Sequence, residues 1–133
     1  MVMKLIVGYK HGTNQAENLL ELASKRAQLF NATVLIVTVM SEGMEKDQEL
    51  IIQAETALEK AKTHFNNKDI PCETHLLIRG IDSGDDLVNF AKETQADEII
   101  IGVKNRTKVG KLLLGSTAQA VVLNAPCPVV TMK

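Results

Sequence analysis

The sequence predicts an α/β domain: a three-layer sandwich in which a five-stranded parallel sheet carries two helices on each face. Two observations carry that prediction. Short apolar runs alternate with amphipathic stretches at helical spacing along the whole chain. Three of the runs, at Leu5-Ile6-Val7, Val34 to Val39 and Glu98 to Gly102, are almost evenly apolar, as strands buried beneath two layers must be.

The elements follow in order. Leu5-Ile6-Val7 is the first strand. Ala16, Leu19, Leu20, Ala23 and Ala27 then form one helical stripe, with Asn14 and Glu17 spaced as its cap. After the second strand a long helix carries Leu50, Ile51, Ala54, Ala57, Leu58, Ala61 and Phe65 on one face, and Pro71 prevents its return. The third strand, Cys72 to Arg79, alternates Glu73, His75 and Arg79 with Thr74, Leu76 and Ile78, so one of its faces is wetter. Ser83-Gly84-Asp85-Asp86 matches a capping box opening the third helix, its acids lying where the helix dipole favours them. Glu98 to Gly102 is the fourth strand. Gly110 to Asn124 carries the last helix, in one piece or two, and Val129 to Met132 the last strand. The half-polar third strand and the proline-led fifth belong at edges. With right-handed crossovers, the order 3-2-1-4-5 satisfies every constraint. The chain then reverses direction across the sheet between strands one and four, and ligands of open α/β sheets sit beyond the strand ends at such a point.

Composition narrows the function. The 133 residues read as one domain, 1–133, with 45% hydrophobic residues and a net charge of -1, which is no footprint for coating nucleic acid. Aromatics are 3% of the chain, too few for a base-stacking platform. No run approaches the ~20 apolar residues of a membrane span, and the apolar start is too short for a secretory leader. Cys72 and Cys127 form no disulfide framework, so a cytoplasmic setting is expected, with neither nucleic acid nor membrane as partner.

Two loops meet at the reversal. Gly8 to Thr13 follows strand one. Gly102 to Lys111 follows strand four and holds Lys104, Arg106, Lys108 and Lys111. Gly102 and Gly110 allow close backbone approach, and Asn105 tolerates a left-handed backbone. Gly115-Ser116-Thr117 offers free N–H groups and two hydroxyls if a helix begins there. Together these describe an anion site. A solvated basic turn with Gly115 as a packing glycine explains the same residues.

Gly102-Val103-Lys104-Asn105, nine residues, then Gly115-Ser116 resembles the universal stress protein signature of Gly-x-x-Gly, nine residues and Gly-Ser/Thr. Ala125-Pro126-Cys127-Pro128-Val129-Val130 is similar to that family's closing strand, and Lys4 to Val7 to its opening one. The resemblance covers the whole chain and implies the same 3-2-1-4-5 sheet. It also implies ATP or a related adenine nucleotide as a regulatory ligand, with Mg2+ accompanying it. Carried over, Gly102, Asn105, Arg106, Lys108, Gly115, Ser116 and Thr117 meet phosphate and ribose, while Gly8 and Val39 lie on the adenine side. Two departures stand out. Asn105 replaces the second glycine, and Lys10 or His11 stands where the family has an Asp after strand one. Many members pair through the last strand, which implies a homodimer here. The rival reading is a homodimeric interaction module that needs no nucleotide.

No catalytic set is expected, although slow ATP hydrolysis is a third reading. His11, His64 and His75 lack metal-ligand spacing, and His64 and His75 read as surface residues. Cys127 reads as a small buried residue. Asp85 and Asp86 read as capping acids, and Glu42, Glu45, Asp47 and Glu49 as a solvated helix start.

Overall fold

The computed structural model describes residues 2–41, 43–44, 46–103 and 114–133. Five strands alternate with four helices: β1 (Lys4–Gly8), α1 (Ala16–Phe30), β2 (Thr33–Val39), α2 (Gln48–Asn66), β3 (Cys72–Leu77), α3 (Ser83–Thr94), β4 (Glu98–Gly102), α4 (Ser116–Asn124) and β5 (Val129–Met132). The sheet order is β3-β2-β1-β4-β5 and all four pairings are parallel. The expected order and class are those observed.

Alternation along the strands builds two cores. Leu5, Val7 and Tyr9 pack with Val34, Ile36 and Ile100 beneath α1 and α2. Ile6, Leu35, Val37, Ile99 and Ile101 pack with Leu87, Phe90, Ala118 and Val121 from α3 and α4. Leu5, Ile6 and Val7 are all fully buried, each contributing about 1.5–3 kcal/mol of hydrophobic stabilisation. β3 and β5 lie at the edges and are mostly half-buried.

Three local readings are corrected by tertiary partners. Gln15, not Asn14, is the N-cap residue of α1, and its side chain makes no capping bond. At α3 the N-cap residue is Asp82, again without a side-chain cap. The capping box fails because its members bond elsewhere. Ser83 Oγ lies 2.9 Å from Thr117 Oγ1 on α4, and Asp86 is fully buried, accepting from Arg79 Nε at 2.5 Å. β3 ends at Leu77, so Arg79 lies beyond the strand. There its guanidinium also donates twice to Glu93 at 2.8 Å. Those bonds, Glu93 first and Asp86 second, raise the Arg79 proton affinity. Asp47 does cap α2, accepting from the Leu50 amide at 3.1 Å; Glu42 and Glu45 lie outside the described residues. A second ion pair joins layers: Arg26 on α1 donates to both oxygens of the buried Glu98 at the start of β4.

Gly84 sets the spacing of α3 and α4. A Cβ there would stand 2.6 Å from Ala120 Cβ and 3.2 Å from the Thr117 carbonyl oxygen. Gly84→Ala should therefore lose about 1–2 kcal/mol to overpacking despite the better helix propensity of alanine. Urea denaturation measures this, and a variant more stable than wild type would show that the contact has slack. Arg79→Met should cost about 2–3 kcal/mol. It strands the buried Asp86 carboxylate, whose Oδ2 already has no partner among the described residues. The figure sits below the ceiling for a sealed pair because the Arg79 side chain is 35% exposed. An unchanged urea midpoint would contradict it.

Candidate functional site

A cleft of about 610 Å³ opens beyond the carboxyl ends of the strands, where the strand order reverses between β1 and β4. Its wall begins with the loop after β1. The Tyr9 amide donates to the Val37 carbonyl at 2.8 Å, and the buried Thr38 hydroxyl donates to the Tyr9 carbonyl at 2.8 Å. Those two bonds hold Gly8 against β2 and turn the Tyr9 ring into the core beneath α1 and α2. Burial first, and the Glu17 carboxylate second, push the Tyr9 phenol up from its ordinary value, so it stays neutral. Lys10 and His11 are exposed on the cleft wall.

The opposite contributions come from helix starts. α1, α3 and α4 all begin at this end, and Gln15, Ser83, Ser116 and Thr117 line the cleft. None of these three helices has a side-chain cap, whereas α2 has one in Asp47. The first N–H groups of a helix have no partner within it, and they carry the positive end of its dipole. The Ser83–Thr117 bond brings the α3 and α4 starts together and places two hydroxyls beside them. No Asp or Glu is among the described residues that line this cleft. The described wall thus offers donors to an anion and no carboxylate to hold Mg2+, which would have to ride on the phosphates of a ligand. Val37, Val39, Met40, Met44 and Leu50 supply an apolar flank where a base can lie.

Six residues singled out from the sequence meet on this cleft: Gly8, Val39, Gly102, Gly115, Ser116 and Thr117. Asn105, Arg106 and Lys108 lie outside the described residues, as does the Gly110 to Leu113 part of the expected last helix. Sequence reading missed Gln15, Ser83, Met40 and Met44. Ser83 had a signal, since it opens a helix that the order 3-2-1-4-5 brings beside the last one. The methionines had none.

A second hollow of about 480 Å³ lies between α1 and α2 and shares Tyr9 and His11 with the cleft. His64 lines it and is not a free surface residue. Its Nε2 lies 3.0 Å from Ser24 Oγ; that hydroxyl donates to the Leu20 carbonyl, so the ring nitrogen is the donor. His75 is likewise half-buried, its ring 4.9 Å from that of Phe90. Cys127 is half-buried, and burial, aided by Asp97 and Glu98, raises its thiol pKa and keeps it protonated at neutral pH. Among the described residues no three His, Cys, Asp or Glu side chains converge to hold a metal, and no helix is long and apolar enough to cross a membrane.

The model of the Universal stress protein family matches residues 1–133. The chain is 27% identical over 132 residues to a universal stress protein of Mycolicibacterium smegmatis, a match that covers 97% of this chain and 96% of that one. It superposes on a solved universal stress protein from Archaeoglobus fulgidus with a TM-score of 0.89 at 34% identity, with 100% of each chain covered. A universal stress protein from the same organism, solved in complex with dAMP, gives 0.83 at 32% identity, again over 100% of each chain. With its strand order and its matched length agreeing, this chain belongs to the universal stress protein family.

Proposed function

We propose that this chain binds ATP or a related adenine nucleotide as a regulatory ligand in a stress response, and does not turn it over. The observation that carries this reading is the cleft itself. Uncapped starts of α1, α3 and α4 and the hydroxyls of Ser83, Ser116 and Thr117 gather on a wall without carboxylates, beside an apolar flank. Donors at one end and apolar side chains at the other match a phosphate and a base. The dAMP held by the Archaeoglobus relative supports an adenine nucleotide as the occupant. Asn105, Arg106 and Lys108 would add to the phosphate side. Where Mg2+ is present it arrives with the nucleotide.

We also propose a homodimer joined through β5. That strand is an edge, and the α4 helix leading into it exposes Val122 and Leu123. The Pro128 and Met132 carbonyls accept from the Ile99 and Val103 amides, so even-numbered residues of this strand face β4. By the alternation of a parallel ladder, Val129 and Thr131 turn their backbone groups outward. Antiparallel pairing with the same strand of a second copy would satisfy those groups in a two-fold contact.

Both readings are open to direct measurement. Freshly purified protein should release an adenine nucleotide on denaturation, identified by mass spectrometry. Gly115→Trp should then weaken calorimetric binding of that nucleotide by at least about tenfold, or 1.4 kcal/mol. The φ of -66° at Gly115 suits any residue, so the variant adds bulk without backbone strain. Equal binding by wild type and variant would remove Gly115 from the site. For the dimer, sedimentation equilibrium should give twice the monomer mass, and Thr131→Pro should halve it while leaving the fold intact. That substitution deletes an outward donor and no bond to β4. A monomeric wild type, or a variant dimer as tight as wild type, would exclude this interface.

A further inference from the structure

Gly102 closes β4 on the cleft, and the resemblance assigns it to phosphate and ribose. In this chain the space beside it is already taken. A Cβ on Gly102 would stand 2.6 Å from Gln15 Oε1 and 3.3 Å from Gln15 Cδ, so the carboxamide of the α1 N-cap residue lies directly over the glycine. The same side chain donates from Nε2 to the Val103 carbonyl. That bond decides which way the amide points. A carbonyl can only accept, so the NH2 end must face Val103 and the oxygen must face Gly102. The glycine that would cradle a phosphate is therefore covered by an acceptor with no proton to offer. Both are anchored: the Val103 amide donates to the Met132 carbonyl at 2.7 Å, and Val103 is 2% exposed.

We propose that Gln15 is a specificity-determining residue that makes the cleft favour an adenine nucleoside monophosphate over the triphosphate. The inference rests on the nucleotide reading above and narrows it. One phosphate is served by the first turn of α4 and the hydroxyls of Ser83, Ser116 and Thr117. A chain of phosphates reaching Gly102 meets Gln15 Oε1, acceptor against anion. Swinging the side chain aside leaves the partly buried Val103 carbonyl without this donor, a loss of up to about tenfold in affinity. The described wall also lacks a carboxylate for the Mg2+ that a triphosphate usually carries.

Calorimetry with AMP and with ATP, each in the presence of Mg2+, tests this on the full chain. Wild type should bind AMP more tightly than ATP by about tenfold or more, the scale of one opposed or unmade bond to a charged group. Gln15→Ala should shrink that ratio by about tenfold, chiefly through tighter ATP binding, because the cradle is then open. Wild type binding ATP as tightly as AMP would overturn the proposal while leaving the nucleotide reading intact. So would a Gln15→Ala variant that weakens both ligands in parallel, which is what loss of a purely structural strap would do. Binding of neither nucleotide by wild type would overturn the nucleotide reading and this inference with it. Should Gln15→Ala fail to fold, Gln15→Ser removes the same amide oxygen from over Gly102, and an unchanged AMP-to-ATP ratio in that variant would overturn the proposal.

Discussion

The molecule is organised around the burial of β1 from every side. Leu5, Ile6 and Val7 have no exposed surface, and β1 pairs with β2 on one edge and β4 on the other. The chain leaves β1 for α1 on one face of the sheet and leaves β4 for α4 on the other, so the two loops diverge and the cleft lies between them. Its floor is also held firmly. A Cβ on Gly8 would stand 3.0 Å from Ile101 Cγ2 and 3.4 Å from Leu87 Cδ2, so a larger residue here would have to push those side chains aside by a few tenths of an ångström. The bond from the Tyr9 amide to Val37 carries the β1–β2 ladder one residue beyond the strand. The cleft thus follows from the packing of one short strand and the order of its neighbours.

Gly8, Gly84 and Gly102 are there for their neighbours, not for unusual backbone angles. Gly8 gives way to Ile101 and Leu87, Gly84 to Ala120 and Thr117, and Gly102 to Gln15. Positive φ values fall at Gly12 and Gly43, beside cleft-lining residues, and at Gly80. From sequence a glycine says only that something comes close. At Gly102 the sequence suggests a ligand phosphate, and the structure answers with a side chain from α1. The two readings differ in what the site can hold, because a peptide N–H welcomes an anion and an amide oxygen repels it.

The fold was legible because it rests on period and polarity. The runs at Leu5-Ile6-Val7 and Ile99-Ile100-Ile101 can only be two-sided strands, and the alternation of Glu73, His75 and Arg79 marks an edge. The capping signals failed at Ser83 and Asp86 for one shared reason. Local pattern ranks a side chain by its nearest backbone, but Thr117 lies 34 residues from Ser83 and still took its hydroxyl. His64 failed in the same way, since Ser24 lies 40 residues away and receives its ring N–H. Such partners become visible only once helices are placed on the sheet. Gly8, Val39, Gly102, Gly115, Ser116 and Thr117 reach one cleft because strand order alone fixes where loops converge.

Charge placement explains how a nearly neutral chain could carry the proposed anion site. Its 16 acidic and 15 basic residues almost cancel, so selectivity must come from where the charges are placed. Glu98 is held by Arg26 at the start of β4, Asp86 and Glu93 by Arg79 beside α3, and Glu21 by Lys68 on α1. None of them lines the cleft. A carboxylate about 4 Å from a bound phosphate charge would cost roughly 4 kcal/mol at an effective dielectric constant near 20. Keeping acids out therefore does as much for an anion as adding a cation at the same distance. The departure after β1 belongs to this logic. Where the family resemblance implies an Asp, this wall presents Lys10 and His11, and a ligand that bonds a carboxylate through its hydroxyls would meet donors instead. Together with the Gln15 oxygen over Gly102, that exchange moves the donors toward Lys10, Ser83 and the α4 start and leaves an acceptor at the end of β4. Such a division suits one compact anionic group and opposes a long chain of them.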